Sequence, residues 1–323
     1  MKKSTTICAV ILSLFLVAAF QVHSLELVNA SDNGCLLWAS TYLQDDLSKE
    51  RVEDAIDIIV YTFAQHDDVW TEIYDGYGSL TNLNNILSKC DDFEQYHNEV
   101  SFFHYGHWWT TQIDGIWYQS TPSGWEYMYS VPVDHWTYYD SFGTLVKDSD
   151  IFQHTDQGRH YAVLLWTCVN GYGVDGTAGY YDYTDLQYLP YYYYQGTGAV
   201  GMPYAFTHET DLRYNSSSNP DTSTPYCFIG FKGVSRGINE TCQGSETYTY
   251  QYFICDYYYH VLNDYEDCTI NEALDLVCND IWNSDFDSTD TLTNYMGYNP
   301  FTQQYDVPSA MVVWGNPEIS FDK

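Results

Sequence analysis

Two residues with the chemistry of a nucleophile and a base follow apolar runs that are typical of strands. His107 follows the run at residues 100–105, and Cys168 follows the run at residues 161–166. Because the carboxyl ends of parallel strands share one edge of a sheet, the two side chains can meet without being close in sequence. A thiol attacks a carbonyl as the thiolate, and a neighbouring imidazole lowers the thiol pKa and later protonates the leaving amine. The pattern predicts a His107/Cys168 dyad. The alternative is a small buried cysteine beside a histidine in a turn.

Three further residues are candidates for this site. Gly106 and Gly171 leave room beside the pair, so they are predicted to give backbone support to an oxyanion. Asp175 follows the cysteine and is predicted to hold a basic substrate side chain, although acids are common enough here for its position to be chance. His104 lies inside its apolar run and points to the opposite face from His107, so it is predicted to be a core residue.

The elements that must position these residues alternate between strands and helices. Apolar residues at positions 52–63 recur on one helical face, with Ser48 as the predicted N-cap, and Thr269 with Glu272 forms a capping box for a later helix. This order predicts an α/β domain with a mainly parallel sheet. Residues 108–158 form an aromatic-rich insertion with a hairpin near Gly124. The predicted strands are residues 35–42, 69–74, 100–105, 161–166, 226–231 and 310–314.

The charge balance of the chain excludes one class of partner and favours another. The sequence has 11 Lys and Arg against 44 Asp and Glu, for a formal net charge of −33. A field of this sign repels phosphate backbones, so no nucleic-acid partner is expected. The same field attracts cationic peptides, and a peptide or protein substrate with basic side chains is therefore favoured.

The amino terminus is typical of an exported protein. Residues 1–24 are predicted to be a signal peptide, because Lys2 and Lys3 precede a 14-residue apolar run at residues 7–20. That run is shorter than the roughly 20 residues of a membrane span, so no stable span is expected after its removal. Residues 25–323 are predicted to be one secreted or cell-surface domain. Three glycosylation sequons fit this location: Asn29, Asn215 and Asn239.

The cysteines fit export as well. Nine are present, and eight remain once Cys8 leaves with the signal peptide. An even number in an exported chain predicts disulfides, with Cys255 and Cys278 close together on successive helices and Cys168 unpaired. The sequence contains no CxxC pair and no cysteine–histidine cluster with zinc-finger spacing, so neither a metal nor a cofactor is expected.

The order of motifs resembles the caspase-like clan of cysteine peptidases, which includes caspases, legumains, clostripain and gingipains. FFHYGH is similar to the clan's run into its histidine, and LLWTCVNG to its run into the nucleophilic cysteine. CFIGFKGVS, CTINEALDLV and MVVWGNPEI resemble later elements of the gingipain-type branch. The resemblance covers residues 33–320 and implies a three-layer αβα, caspase-like (flavodoxin-like) fold. Two positions depart from the pattern: Trp108 stands where the clan has glycine, and Asn316 where an acid is common.

The residues and the resemblance together give two hypotheses. The first is an exported cysteine endopeptidase that hydrolyses peptide bonds through a thioester on Cys168. The second is a catalytically inactive caspase-like relative that binds glycans, peptides or surfaces through aromatic residues. Five tryptophans in the insertion support that alternative: Trp108, Trp109, Trp117, Trp125 and Trp136.

Overall fold

The structure is a computed structural model, and it gathers Asp32–Lys323 into one compact unit. It describes residues 33–42, 44–66, 69–107, 110–113, 116–121, 124–127, 137–155, 160–168, 170, 179–181, 188–190, 201–208, 225–232, 234–262, 268–286, 292–293, 295–299 and 304–321. The predicted signal peptide and the sequons at Asn29 and Asn215 lie outside the described residues, whereas Asn239 lies in a described turn.

A seven-stranded sheet forms the centre of this unit. Its strands are β1 (Asn33–Ala39), β2 (Trp70–Tyr77), β3 (Val100–Tyr105), β9 (His160–Trp166), β12 (Cys227–Lys232), β13 (Tyr295–Asn299) and β14 (Gln304–Gly315). Their order across the sheet is β13-β14-β12-β9-β3-β1-β2. The strands from β12 to β2 in this order are parallel to one another, and β14 and β13 close the other edge in antiparallel pairing.

Helices cover both faces of the sheet because its strands are apolar on both sides. In β1, Leu37 and Ala39 join one buried cluster, whereas Leu36 and Trp38 join the other, as the two-residue repeat of a strand requires. The first cluster contains side chains of α1 (Asp46–Phe63), α5 (Tyr250–Val261) and α6 (Ile270–Trp282). The second contains side chains of α2 (Leu83–Tyr96), α3 (Asp148–Gln153) and α4 (Met202–Thr207). The predicted three-layer αβα architecture, caspase-like or flavodoxin-like, is confirmed.

The starts of two helices test the predicted caps. The N-cap of α1 is Asp45, not Ser48, because the Asp45 side chain accepts a hydrogen bond from the Ser48 N–H at 2.7 Å. Ser48 is instead a buried residue of the first turn. In α6 the predicted capping box is confirmed: the Thr269 hydroxyl accepts from the Glu272 N–H at 3.2 Å, and the Glu272 carboxylate accepts from the Thr269 N–H at 3.0 Å.

The insertion after β3 contains short strands. The strands β4 (Thr110–Ile113), β5 (Ile116–Thr121) and β6 (Gly124–Tyr127) form an antiparallel sheet, and Thr121 faces Gly124 at the predicted hairpin. The strands β7 (Thr137–Tyr139) and β8 (Leu145–Lys147) form another pair. The chain also contains β10 (Gly179–Tyr181) and β11 (Tyr188–Pro190). Within the described residues, no helix combines the length and the apolar character that crossing a membrane requires.

The cysteines of the described domain pack as small core residues. The expected disulfides do not form among the following residues, which are free thiols: Cys35, Cys90, Cys168, Cys227, Cys242, Cys255 and Cys278. Cys255 and Cys278 therefore do not pair, whereas an unpaired Cys168 agrees with the prediction. Burial raises the pKa of the thiols of Cys35, Cys90 and Cys227, which keeps these side chains neutral.

Candidate active site

The predicted His/Cys pair lies at the carboxyl edge of two adjacent strands. The strands β3 and β9 are parallel neighbours, and Tyr105 is the register partner of Trp166. His107 and Cys168 each follow this pair of partners by two residues. The prediction that these strands are parallel neighbours is therefore confirmed. In an open α/β sheet, functional residues usually lie directly after the carboxyl ends of neighbouring parallel strands.

Gly106 stabilises this edge by its small size and its backbone hydrogen bond. Its N–H donates to the Trp166 carbonyl at 3.3 Å, which extends the pairing of β3 and β9 by one residue. A Cβ at this position would lie 2.7 Å from Nε2 of His104 and 3.1 Å from Cβ of Ser40. The N–H predicted to support an oxyanion is thus already used between the strands. Of the other predicted site residues, Gly171 and Asp175 lie outside the described residues.

Cys168 is covered, with only 6% of its surface exposed. The Ser235 hydroxyl lies 3.4 Å from the sulfur, and the Ser235 N–H donates to the sulfur at 3.3 Å. Burial raises the pKa of the Cys168 thiol, and the two contacts from Ser235 lower it by a smaller amount. With so little of its surface exposed, the sulfur is not open to a substrate in this structure.

His107 is partly buried, and neighbouring elements hold it in place. Its carbonyl accepts a hydrogen bond from the Tyr139 N–H of β7 at 3.0 Å. Burial lowers the pKa of its imidazole to about 4, and the negative charge of Asp45 acts in the opposite direction. At neutral pH the pair therefore consists of a neutral imidazole and a neutral thiol. Forming the reactive thiolate requires a more polar environment than this structure provides.

The other histidine of the motif, His104, is a core residue, as predicted. None of its surface is exposed, its ring centroid lies 4.2 Å from that of Tyr138, and burial lowers its pKa to about 3. His160 lies at the opposite end of β9, where Nδ1 is 2.7 Å from the Glu94 carboxylate. His104 is fully buried beside Gly106, and His160 begins β9 rather than following it, so neither residue replaces His107 as the candidate base.

The structure adds two residues that the sequence analysis did not select. Ser235 follows β12, and Asp45 follows β1, so both come from the same edge of the sheet as the predicted pair. Ser235 contacts the sulfur directly, whereas Asp45 acts on His107 through its charge. The sequence signal for Ser235 was its position after an apolar run, which is the rule that selected His107 and Cys168.

A comparison with known proteins finds neither a protein-family model nor a curated protein that matches this chain. The architecture is therefore the only basis for assigning this protein to a class. It is a three-layer αβα domain in which a histidine and a cysteine follow adjacent parallel strands.

Proposed function

We propose that this protein is an exported cysteine endopeptidase of the caspase-like class, with His107 and Cys168 as its catalytic dyad. The observation that carries the proposal is the register of β3 and β9. Tyr105 pairs with Trp166, and His107 and Cys168 each come two residues after this pair. The match between this arrangement and the motif order of the sequence supports the assignment. Peptide hydrolysis needs no metal or cofactor with this pair of residues.

The reaction starts with proton transfer from the Cys168 thiol to the His107 imidazole. The thiolate attacks the substrate carbonyl, and the resulting tetrahedral oxyanion collapses to a thioester as the amine leaves with the proton from His107. Water then hydrolyses the thioester and restores the thiol. Ser235 positions the sulfur and stabilises the thiolate by its two hydrogen bonds, and Asp45 favours the imidazolium form of His107.

The covered sulfur makes exposure a step of this proposed function. Cys168 in the described state is a neutral and buried thiol, so substrate access requires a rearrangement that brings water and the scissile peptide to it. The same rearrangement would raise the pKa of His107 towards its ordinary value and lower that of Cys168. The described state therefore corresponds to a low-activity form.

A second function is favoured by the same burial. If the sulfur stays covered, the protein is a catalytically inactive caspase-like relative that binds glycans, peptides or surfaces. A raised thiol pKa beside a lowered imidazole pKa disfavours the thiolate–imidazolium pair on which catalysis depends.

Thiol labelling of the full chain separates the two functions. An electrophilic peptidyl probe should modify Cys168 in the wild type, and cleavage of fluorogenic peptides should be lost in Cys168→Ala and reduced at least 100-fold in His107→Ala. Cys255→Ser removes a partly exposed thiol elsewhere and is the matched control that should keep both activities. Unmodified Cys168 together with no cleavage would favour the binding protein.

The preference for basic substrates has its own test. Cationic peptides should be cleaved with a higher kcat/KM than anionic ones, and added salt should reduce the difference because it screens the field of the chain. Asp175→Ala should lower the preference for Arg and Lys before the cut, whereas the exposed-acid control Glu246→Ala should not. An unchanged ranking in Asp175→Ala would remove this residue from the substrate site.

A further inference from the structure

A second cluster of reactive side chains lies on the helices α5 and α6. Asp256 and His260 are four residues apart on α5, so they share one face of the helix, and Asp280 comes from α6. His260 Nε2 lies 3.6 Å from Oδ2 of Asp256 and 4.0 Å from Oδ2 of Asp280. One ligand atom from each of the three residues lies within 4.8 Å of the other two.

These separations are longer than hydrogen bonds and close to those of atoms that share one ion. A nitrogen–oxygen hydrogen bond normally measures about 2.7–3.2 Å. Zn²⁺ lies about 2.1 Å from nitrogen and oxygen ligands, so two ligand atoms at tetrahedral corners are roughly 3.4 Å apart. Small rotations of the three side chains would therefore bring the cluster to coordination geometry without movement of either helix.

The environment of Asp256 points to a cation as well. Its Oδ2 atom is fully enclosed and receives no hydrogen bond from the described residues. An enclosed carboxylate oxygen without a donor is unfavourable unless a positive charge is near. The site also has two carboxyl groups for one imidazole, so a bound cation would offset the excess of acidic groups.

We propose that Asp256, His260 and Asp280 bind one divalent transition-metal ion, with Zn²⁺ as the best-matched probe, and that this ion joins α5 to α6. A set of one imidazole and two carboxylates suits Zn²⁺ and neighbouring first-row ions, because imidazole is a preferred ligand of these metals. An all-oxygen set would instead be typical of Mg²⁺ or Ca²⁺. The Asp280 side chain is 56% exposed, so the ion is reached from solvent, and water completes its coordination. The net charge of −33 raises the local concentration of cations around the chain.

Calorimetric titration of the full, chelator-treated chain with Zn²⁺ tests the assignment. We expect one equivalent whose Kd weakens at least tenfold in Asp280→Asn and in His260→Gln, and a Zn²⁺-dependent increase in Tm that both variants lose. Asp280→Asn changes an exposed and nearly isosteric side chain, so this variant should fold. Glu50→Gln removes an exposed acid on α1 and should bind like the wild type.

A Co²⁺ spectrum separates this site from the thiols of the chain. Binding at the proposed residues should give a spectrum without thiolate-to-metal charge transfer, and the Asp280→Asn variant should lose it. A thiolate band, equal binding by both variants and the wild type, or no Zn²⁺ binding at all would each overturn the proposal. The three residues would then form only a charged contact between two helices.

Discussion

Replacing the buried histidine of β3 should make the protein less sensitive to acid. His104 has no exposed surface, and neither ring nitrogen has a hydrogen-bond partner among the described residues. Burial lowers its pKa to about 3, because nothing compensates the imidazolium charge there. The variant His104→Leu places an apolar side chain of similar size beside Tyr138 and removes the titrating group.

The sign and size of the effect follow from the difference between the folded and unfolded states. An unfolded histidine has a pKa of about 6.5, so between pH 6.5 and pH 3 the unfolded chain binds a proton that folded His104 does not. The contribution of neutral, buried His104 to the unfolding free energy is therefore fully present above about pH 6.5 and is lost as the pH falls towards 3. At pH 5, about 1.5 units below the unfolded pKa, protonation of this histidine stabilises the unfolded chain by about 2 kcal/mol relative to the folded one.

Urea unfolding at pH 7.5 and pH 5.0 measures this contribution. The loss of unfolding free energy between the two pH values should be about 2 kcal/mol smaller in His104→Leu than in the wild type. His154→Gln removes a partly exposed histidine and should keep most of the wild-type loss. Equal losses in His104→Leu and the wild type would refute the reasoning. As a second measurement, the His104 ring resonances should not shift between pH 8 and pH 4.

Three further variants test other contacts. Ser235→Ala removes a hydroxyl that lies 3.4 Å from the Cys168 sulfur. Because a hydrogen bond to a charged group contributes about 1.5 kcal/mol, the midpoint of the pH profile for Cys168 alkylation should rise by about 1 unit. An unmoved midpoint would show that this contact does not stabilise the thiolate. Gly106→Ala places a Cβ 2.7 Å from a buried ring nitrogen and should lower the unfolding free energy in urea by about 1–3 kcal/mol; wild-type stability would contradict the packing argument. Glu94→Ala removes the carboxylate 2.7 Å from Nδ1 of His160 and should destabilise the fold by about 1–3 kcal/mol in the same assay, and a neutral result would mean that another group takes its place.

The candidate site shows where sequence reasoning reaches its limit. His107 and Cys168 could be identified from the sequence because each follows its own apolar run, and parallel strands end at the same edge of a sheet. Ser235 contacts the sulfur across 67 positions of sequence, so no spacing rule brings the two together. The burial of the sulfur depends on elements that pack over it, which a local pattern does not contain.

The fold divides in a similar way. The apolar runs and the capping box of Thr269 and Glu272 predicted the strands and helices, because residue periodicity and end caps are local properties of the chain. The cap of α1 at Asp45 rather than Ser48 was settled by which side chain reaches the free N–H groups and which turns into the core. Seven of the cysteines are free thiols in the structure, although their even number predicted pairs, and all of these except the partly exposed Cys255 are buried by tertiary packing.

The sequence by itself determined the alternation of strands and helices, the acidic surface and the positions of a histidine and a cysteine after adjacent strands. Only the tertiary structure decided the neighbours of these groups, the cover over Cys168 and the cluster formed by Asp256, His260 and Asp280. The physical reason is range. Backbone preferences and amphipathic repeats act over a few residues, whereas burial, pKa and ligand geometry depend on side chains that meet across the whole chain.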